Sequence, residues 1–319
     1  MAGSPQLSQQ HTQWGAEALW LRLEPLLPGL SVEVVASADS TNTVLLDRAR
    51  SRGGQRDAPV SRPAELDTSP APLHTPLGRR GADLQPCLLV AEQQTRGRGR
   101  LGRDWVSSAG ASLTFSLALP LVPADWAGLS LAVGLALAEA LDPTPDAAKA
   151  AAQTPAQTAT EAWRPRIVLK WPNDLWLAEG PPGRGRKLGG ILIETVSVGQ
   201  HRMCVVGVGL NVWPQPTPEL PHGYACLAEL QPAASAPGVL AQVAEPLVRA
   251  LLRFQSEGFA PRVAAYAQRD LLLGQPVSTD ALAGVAEGVD ERGALRLRCG
   301  ALHRVVSGEV SVRLVAGAA

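Results

Sequence analysis

The chain has 319 residues, 45% of them hydrophobic, which is enough for one large domain and a smaller one. Its 29 basic residues balance its 29 acidic residues, so no net field attracts nucleic acid or an anionic membrane surface. Residues 1–30 lack the pattern of a signal peptide, and no apolar run approaches the roughly 18 residues of a membrane span. The four cysteines lie far apart without a CxxC pair, which favours free thiols in a reducing compartment such as the cytoplasm.

The chain begins with the pattern of a helix, a strand and a second helix. Residues 13–24 place apolar side chains on one face, as an amphipathic helix does, and residues 32–35 follow as a short apolar strand. A second helix is predicted over residues 41–50, with Asp39 or Ser40 as its N-cap.

Three small polar residues, Ser40-Thr41-Asn42, stand where that strand meets the second helix. One interpretation is helix capping alone. The other is that their side chains face a ligand, because the junction of a strand and a helix is a common place for small polar groups to bind one.

Residues 51–84 are rich in Arg, Pro, Ser and Gly, residues 143–165 are rich in Ala, Gln, Thr and Pro, and neither segment has an apolar period. We predict that both are disordered insertions without chemistry of their own. Between them, residues 112–119 predict a strand, and the Ala/Leu-rich residues 129–141 predict a helix that packs on the sheet.

The most unusual stretch, Arg96–Trp105 (RGRGRLGRDW), follows a buried strand predicted over residues 87–91. Three glycines and four arginines among residues 96–103 exclude a core helix or a central strand. Glycine lets the backbone close tightly on a ligand, and arginine supplies forked donors for phosphate and carboxylate. We therefore predict a mobile loop that clamps an anion. The alternative is a solvated basic turn or an RGG-like nucleic-acid tether.

One lysine lies at the end of an apolar strand. Lys170 ends the predicted strand 166–170 and is one of only three lysines in the chain. Because burying an ammonium costs free energy, Lys170 needs an anion, which is either Asp174 or the phosphate of a ligand. Asn173 and Asp174 either belong to the site or merely form the turn after Pro172.

Two glycine-containing strands follow, over residues 187–194 and 203–208. Glycines near the start of a strand allow a neighbouring chain or a ligand to approach the backbone closely. The second strand continues into residues 207–211, GVGLN, but Val212 stands where a GxGxxG dinucleotide loop needs its third glycine. No GxxxxGK[ST] loop occurs either, so any nucleotide is held in another way.

The last part of the chain changes from helices to short strands. Residues 238–256 and 261–270 predict amphipathic helices, and alternating apolar residues follow. We therefore divide the chain into a catalytic domain, 1–271, and a small β-barrel domain, 272–319. The strands predicted in the barrel cover residues 285–289, 295–299 and 310–314.

The candidate segments are Ser40–Asn42, Gln94–Trp105, Lys170–Asp174, Lys187–Leu192 and Gly207–Asn211. In this order they resemble the biotin–protein ligases, and the match spans residues 31–314 apart from the two insertions. The GRGRxGR loop followed by KWPND and KLGGIL is specific to that family. The resemblance implies an α+β fold, with a mixed β-sheet flanked by helices like that of class II aminoacyl-tRNA synthetases, followed by an SH3-like β-barrel.

The resemblance also implies a reaction. Biotin's carboxylate would attack the α-phosphate of ATP to give biotinyl-5′-AMP, and a lysine of a biotin carboxyl carrier protein would then take the biotinyl group. The expected partner is the carrier of acetyl-CoA carboxylase, with other biotin-dependent carboxylases as further candidates. We expect no nucleic-acid or membrane partner, a monomer or homodimer, and Mg²⁺ with the phosphates. About 30 residues precede the first predicted strand, too few for a helix-turn-helix domain, so we expect a ligase without a repressor role.

Roles for single residues follow from the same resemblance. The expected catalytic residues are Lys170, Arg98 and Arg100. The residues expected to bind biotin are Ser40, Thr41, Asn42, Gln94, Arg98, Gly99, Arg100, Lys170, Gly190, Gly207 and Gly209. The residues expected to bind ATP are Arg100, Arg103, Trp105, Asn173, Lys187 and Asn211. No protein ligand to a metal is expected.

Two alternatives belong to other classes of function. A lipoate or octanoate ligase would use the same fold, and the GRGRLGR loop argues against it. A nucleic-acid-binding protein would need a sustained basic surface with aromatic residues beside it. The zero net charge and the confinement of basic clusters to short loops disfavour that class.

Overall fold

The computed structural model of the protein describes residues 14–53, 84–145, 163–216, 223–306 and 312–314. Most of each predicted insertion therefore lies outside the described residues, and so does the start of the last predicted strand, at 310–311. The disorder of the insertions stays a prediction.

The described helices agree with most of the expected ones. The helix predicted over residues 129–141 is confirmed at both ends, and the helix predicted over residues 238–256 extends slightly at each end. The α-helices are α1 (Ala16–Leu23), α2 (Thr41–Gly53), α3 (Leu129–Leu141), α4 (Ala236–Glu257) and α5 (Val263–Ala267), with 3-10 turns at Arg100–Gly102, Leu227–Glu229 and Ala260–Arg262.

The single helix predicted over residues 261–270 is wrong in its second half, because α5 ends at Ala267. Tertiary pairing overrides the helical pattern there. The amide of Leu169 donates to the carbonyl of Arg269 at 2.7 Å, and the amide of Leu271 donates back to the carbonyl of Leu169 at 3.0 Å. The buried guanidinium of Arg269 also donates to Asp142 Oδ2 at 2.9 Å, which fastens this segment to the end of α3.

The large sheet has seven strands in the order β1-β2-β5-β9-β8-β7-β6. Strand β1 runs parallel to β2, and the remaining neighbours are antiparallel, so the sheet is mixed as expected. Strands β3 and β4 form a separate two-stranded ribbon. The strands are β1 (Ser31–Ala38), β2 (Cys87–Gln94), β3 (Gly97–Arg98), β4 (Asp104–Trp105), β5 (Ser112–Pro120), β6 (Ile167–Lys170), β7 (Asp174–Ala178), β8 (Gly185–Val198) and β9 (His201–Asn211).

Helices cover both faces of this sheet. Helices α3 and α4 pack on each other and on one face, and their buried side chains join the main hydrophobic core. Helix α2 packs on the other face over β2, β5, β8 and β9, where Leu45 and Leu46 meet Leu89 and Val205 in a smaller core. Within the described ranges, no helix is both long enough and apolar enough to cross a membrane.

The C-terminal strands form a small antiparallel sheet of five strands in the order β13-β12-β11-β10-β14. The strands predicted near 285 and 295 are present, and the sequence pattern missed the first and fourth. The five are β10 (Pro276–Ser278), β11 (Ala283–Val289), β12 (Leu295–Cys299), β13 (Ala301–Val305) and β14 (Arg313–Leu314).

The small sheet contacts the large one beside the Trp171–Asp174 turn, which follows Lys170. Trp171, which is buried, donates its indole N–H to the carbonyl of Gly293 at 3.0 Å. A side chain at Gly293 would meet the backbone of Gly128 at 2.7 Å, so the two units touch closely there. This contact brings β14 to the edge of the candidate site.

Candidate active site

A cavity of about 500 Å³ lies between the arginine loop, the start of α2, the Trp171–Asp174 turn and the glycines of β8 and β9. Every residue to which we assigned a role lines this cavity, with the exception of Asn211. The lining residues among them are Ser40, Thr41, Asn42, Gln94, Arg98, Gly99, Arg100, Arg103, Trp105, Lys170, Asn173, Lys187, Gly190, Gly207 and Gly209.

The start of α2 supplies a buried polar wall. Ser40, Thr41 and Asn42 are each only 3% exposed, and all three border the cavity. Gln94 Oε1 accepts from the backbone amide of Thr41 at 2.7 Å, so a residue from β2 satisfies the first turn of the helix. The Thr41 amide is therefore satisfied from β2 and not from within the tripeptide.

Two glycines make the opposite wall possible. A Cβ atom at Gly209 would lie 2.5 Å from the ring of Trp105, and one at Gly207 would lie 2.2 Å from Asn42 Oδ1. Because real side chains do not approach that closely, any other residue would displace Trp105 or Asn42. The indole nitrogen of Trp105 is buried and has no hydrogen-bond partner within the described ranges.

The arginine loop folds back as a ribbon over the cavity. Gly97 pairs with Trp105, and a Cβ atom at Gly97 would lie 2.4 Å from the Trp105 carbonyl oxygen. At the tip, Leu101 has a φ of 58° and is 48% exposed, which is an unusual combination for a branched apolar residue. Arg100 Nη1 donates to Asn173 Oδ1 at 3.1 Å, so the loop contacts the Trp171–Asp174 turn. Burial lowers the pKa of Arg100, and nearby Asp174 opposes that effect.

Lys170 has the environment expected of an anion-binding lysine. It is only 7% exposed, its Nζ lies 5.0 Å from the ring centroid of Trp176, and no described residue offers it a hydrogen-bond acceptor. Burial lowers the pKa of Lys170, and the nearby charge of Asp174 raises it in part. Asp174 instead forms its ion pair with Lys187, with 2.8 Å between Nζ and Oδ1. Asp174 thus pairs with Lys187 and also acts on Lys170 through its charge, and a ligand anion at Lys170 stays a prediction.

Asn173 and Asn211 play different parts from each other. Asn173 belongs both to the turn and to the cavity, and its Nδ2 donates to the carbonyl of Ile191 at 2.8 Å. Asn211 is buried outside the cavity lining, and its Nδ2 donates to the carbonyls of Ala225 at 3.0 Å and Lys187 at 3.4 Å. Its side chain thus holds the backbone that carries Lys187.

The sequence analysis missed several residues that the structure brings to the site. Ser116 is fully buried and lies 2.6 Å from both Thr41 Oγ1 and Asn42 Oδ1. Its signal was available, because the buried polar residues of β5 alternate along one face of an apolar strand. Glu194 contacts Asn42 and Arg98, and Arg313 of β14 lines the cavity mouth; neither has a local signal in the sequence.

Comparison with known proteins agrees with this architecture. The model of the biotin/lipoate A/B protein ligase family matches residues 84–211. The chain is 31% identical to the bifunctional ligase/repressor BirA of Escherichia coli over 90% of its own length and 75% of that protein. It is 30% identical to the biotin–[acetyl-CoA-carboxylase] ligase of Mycobacterium tuberculosis, with 86% of each chain covered.

A solved structure extends the likeness to three dimensions. The biotin protein ligase from Aquifex aeolicus in complex with biotin and ATP superposes with a TM-score of 0.60 and 25% identity. The match covers 90% of this chain and 100% of that one. The chain therefore belongs to the biotin/lipoate A/B protein ligase family.

Proposed function

We propose that the protein is an ATP-dependent ligase that activates biotin as biotinyl-5′-AMP and transfers it to a lysine of a biotin carboxyl carrier protein. The observation that carries the proposal is the buried ammonium of Lys170, which faces the cavity without an acceptor from the described residues. The names of its relatives support the choice of biotin, since they include a biotin–[acetyl-CoA-carboxylase] ligase and a biotin protein ligase bound to biotin and ATP.

The first step joins two anions. A carboxylate oxygen of biotin attacks the α-phosphorus of ATP, and the bond to the β-phosphate oxygen breaks to release pyrophosphate. Lys170 would bridge the carboxylate and the α-phosphate, and Arg98, Arg100 and Arg103, which line the same cavity, would neutralise the remaining charge. Such fixed cations stabilise the transition state without the reorganisation that water would need.

The second step reuses the same cations. The neutral amine of the acceptor lysine attacks the acyl carbon of the mixed anhydride, an amide bond forms, and AMP leaves with the bonding electrons. Lys170 and the loop arginines would stabilise the phosphate of AMP as it departs. The arginine loop would also retain biotinyl-5′-AMP, because the anhydride must stay enclosed until the carrier protein binds.

The two ends of the cavity would take different substrates. Biotin would bind between the polar wall, which consists of Ser40, Thr41, Asn42 and Gln94, and the opposite wall with its two glycines. Such a slot suits the ureido group and the carboxylate chain of biotin. On the ATP side we place Arg103, Trp105, Asn173 and Lys187, and we add Arg313 from the small sheet.

Mg²⁺ is expected with the nucleotide. Two carboxylates, Asp104 and Asp174, line the cavity, and Asp174 is already paired with Lys187. The described residues contain no group of three or more His, Cys, Asp or Glu side chains that could hold an ion by themselves. The phosphates would therefore supply most of the ligands, and the ion would neutralise phosphate charge.

Three further points belong to the proposal. The small sheet is an SH3-like barrel domain of residues 272–319, joined to a catalytic domain of residues 1–271. The acceptor is the carrier of acetyl-CoA carboxylase. The protein works in the cytoplasm, which agrees with the free thiols at Cys87, Cys204, Cys226 and Cys299.

The test measures pyrophosphate release and label transfer. The purified protein should release pyrophosphate only with biotin and ATP together, and should label a biotin carboxyl carrier domain at its lysine. Lipoate in excess should not reduce the labelling. Activation of lipoate in place of biotin would assign the chain to the lipoate branch of its family, and release with neither acid would overturn the proposal.

A further inference from the structure

Glu194 lies on β8 behind the polar wall, outside the residues that carry a role in the preceding sections. We infer that Glu194 is a positioning residue for the biotin half of the site, an inference that rests on the proposed function. Its Oε2 atom accepts from Asn42 Nδ2 at 2.9 Å and from Arg98 Nη2 at 2.7 Å. One carboxylate oxygen thus joins the start of α2 to the arginine loop.

The contact with Asn42 sets the direction of a buried hydrogen-bond chain. The amide nitrogen of Asn42 has two acceptors, Glu194 Oε2 and the carbonyl of Leu192 at 3.1 Å, so its oxygen must face the other way. That oxygen accepts from the hydroxyl of Ser116 at 2.6 Å. Because Ser116 has a single hydrogen, its oxygen is the acceptor in its other 2.6 Å contact, with Thr41 Oγ1.

The end of this chain is the surface that a ligand meets. The hydroxyl of Thr41 has two possible acceptors for its one hydrogen, Ser116 Oγ at 2.6 Å and Gln94 Oε1 at 3.2 Å, and the shorter contact needs a hydrogen between its two oxygens. With that hydrogen directed at Ser116, Thr41 Oγ1 can offer a lone pair to the cavity that Thr41 lines. An acceptor at that point suits the N–H group of a ureido ring. A carboxylate at position 194 accepts hydrogen bonds only, and it therefore helps to keep the whole chain in the orientation that presents an acceptor.

The contact with Arg98 holds the loop in place. Glu194 contacts the middle of the loop through Arg98. The base of the loop is held by the hydrogen bond from Thr95 to Asp39, and its tip by the hydrogen bond from Arg100 to Asn173. The pair is partly exposed, with 44% of the Arg98 side chain and 27% of the Glu194 side chain accessible. It therefore contributes little to the free energy of unfolding, and its main effect is to orient the Arg98 side chain.

Glu194 could instead compete with the ligand for Arg98, and that role predicts the opposite change in biotin binding. If Glu194 withheld Arg98 from the ligand, removal of the carboxylate would tighten biotin binding. If Glu194 positions Arg98 and Asn42, the same change weakens binding and leaves the ATP half unaffected.

Two variants and a control separate these cases. Glu194→Ala removes both contacts, while Glu194→Gln keeps an acceptor for Asn42 and removes the charge. Glu245→Gln is the control, because Glu245 forms an exposed ion pair with Arg249 on the surface of α4. We expect the KM for biotin to rise on the order of 10-fold or more in Glu194→Ala and less in Glu194→Gln, as the loss of charge-assisted bonds implies. The KM for ATP should stay within about twofold. A biotin KM that is unchanged or lower in both variants would overturn the inference.

A second measurement does not depend on biotin chemistry. Hydrogen exchange of the backbone amides of residues 97–105 should be faster in both Glu194 variants of the ligand-free protein than in wild type, and unchanged in the control. If the wild-type protein does not consume biotin, the proposed function fails while the exchange result still shows whether Glu194 holds the loop. Unchanged exchange in a folded Glu194→Gln protein would contradict the positioning role.

Discussion

Lys187, not Lys170, forms the ion pair with Asp174, with 2.8 Å between Lys187 Nζ and Asp174 Oδ1. The two lysines thereby divide two tasks. The carboxylate that lies opposite Lys170 in the β6–β7 hairpin is paired with Lys187, and Lys170 lines the cavity without an ion pair to any described residue. Lys187 therefore combines this ion pair with its proposed place on the ATP side, whereas Lys170 is proposed to act on the reacting groups.

Loss of Arg100 should make the enzyme release its intermediate. Arg100 bridges the loop to Asn173 at the cavity rim, and Lys170 and Arg103 remain to support adenylation without it. Arg100→Gly should speed escape of biotinyl-5′-AMP by roughly 10- to 150-fold, the value of one charge-assisted hydrogen bond. Bystander proteins should then become biotinylated, more strongly at higher pH because neutral lysine amines are the nucleophiles.

The control for that experiment is Arg184→Gly, which removes an exposed arginine from the β7–β8 turn. Bystander labelling should be absent in the control. If Arg100→Gly forms the adenylate while an unrelated protein in the same tube stays unlabelled, Arg100 does not retain the intermediate.

The small sheet should contribute to ATP use through one residue. Arg313 lines the cavity mouth, and its charge is close enough to Lys170 to lower that residue's pKa slightly. Arg313→Ala should raise the KM for ATP on the order of 10-fold and leave the KM for biotin unchanged. The matched control is Arg298→Ala on β12, whose guanidinium pairs with Glu287 away from the cavity. Equal effects of the two substitutions would count against a role for Arg313.

Asp270 should make stability depend on pH at the junction of the two units. Its Oδ1 accepts from the amide of Leu272 at 2.9 Å, and its Oδ2 is buried with no hydrogen-bond partner among the described residues. Burial raises the pKa of Asp270 from 3.8 to about 6. The fold therefore disfavours the ionised form, and the free energy of unfolding falls as pH rises between those two values.

Asp270→Asn tests this by keeping the Oδ1 acceptor and removing the charge. The free energy of unfolding should rise on the order of 2–3 kcal/mol at about pH 8, and by only a few tenths of a kcal/mol at about pH 3.5, where the carboxyl is mostly protonated in both states. Urea unfolding at the two pH values measures the difference. An equal change at both would show that the substitution acts through packing.

The predicted insertions should be dispensable, within boundaries that the structure sets. Asp142 accepts from the amides of Arg166 and Ile167, and the ring of Trp163 lies 5.1 Å from the Arg269 guanidinium. Residues 146–162 and 54–83 should be replaceable by short Gly/Ser linkers, because a change in loop length costs only about 0.6 kcal/mol per doubling. Melting temperature and turnover should stay near wild type. A large fall in either would show that these segments pack or bind.

The sequence predicted the parts of the site whose signal is local. Lys170 stood out as a lysine at the end of an apolar strand, and the arginine loop stood out by composition alone. Gly207 and Gly209 were expected at the biotin site from the family resemblance, and the structure shows that Asn42 and Trp105 lie directly against them.

The rest depended on contacts between distant segments. Nothing in the local sequence distinguishes Glu194 from other acidic residues. Its inferred role depends on the contact of β8 with Asn42, which lies about 150 residues earlier in the chain. Arg313 reaches the cavity because Trp171 and Gly293 join the two sheets. The end of α5 was predicted wrongly because Leu169 pairs with the backbone that a continued helix would have used.

Lys170 is proposed to supply the positive charge that stabilises the biotin carboxylate and the α-phosphate of ATP as they react to form biotinyl-5′-AMP. Lys170→Met keeps an unbranched apolar side chain and removes the ammonium. Because burial lowers the pKa of Lys170, the folded state disfavours its charge, and the variant should be at least as stable as wild type at neutral pH. Adenylation should nonetheless fall on the order of 10²–10³-fold, as the loss of a cation aimed at a reacting phosphate implies.

The most direct test is the rate of biotin-dependent pyrophosphate release by Lys170→Met, measured without carrier protein beside its thermal unfolding curve. We expect a melting temperature equal to or above that of wild type together with a large loss of pyrophosphate release. Pyrophosphate release at the wild-type rate from the folded variant would contradict the proposed role of Lys170.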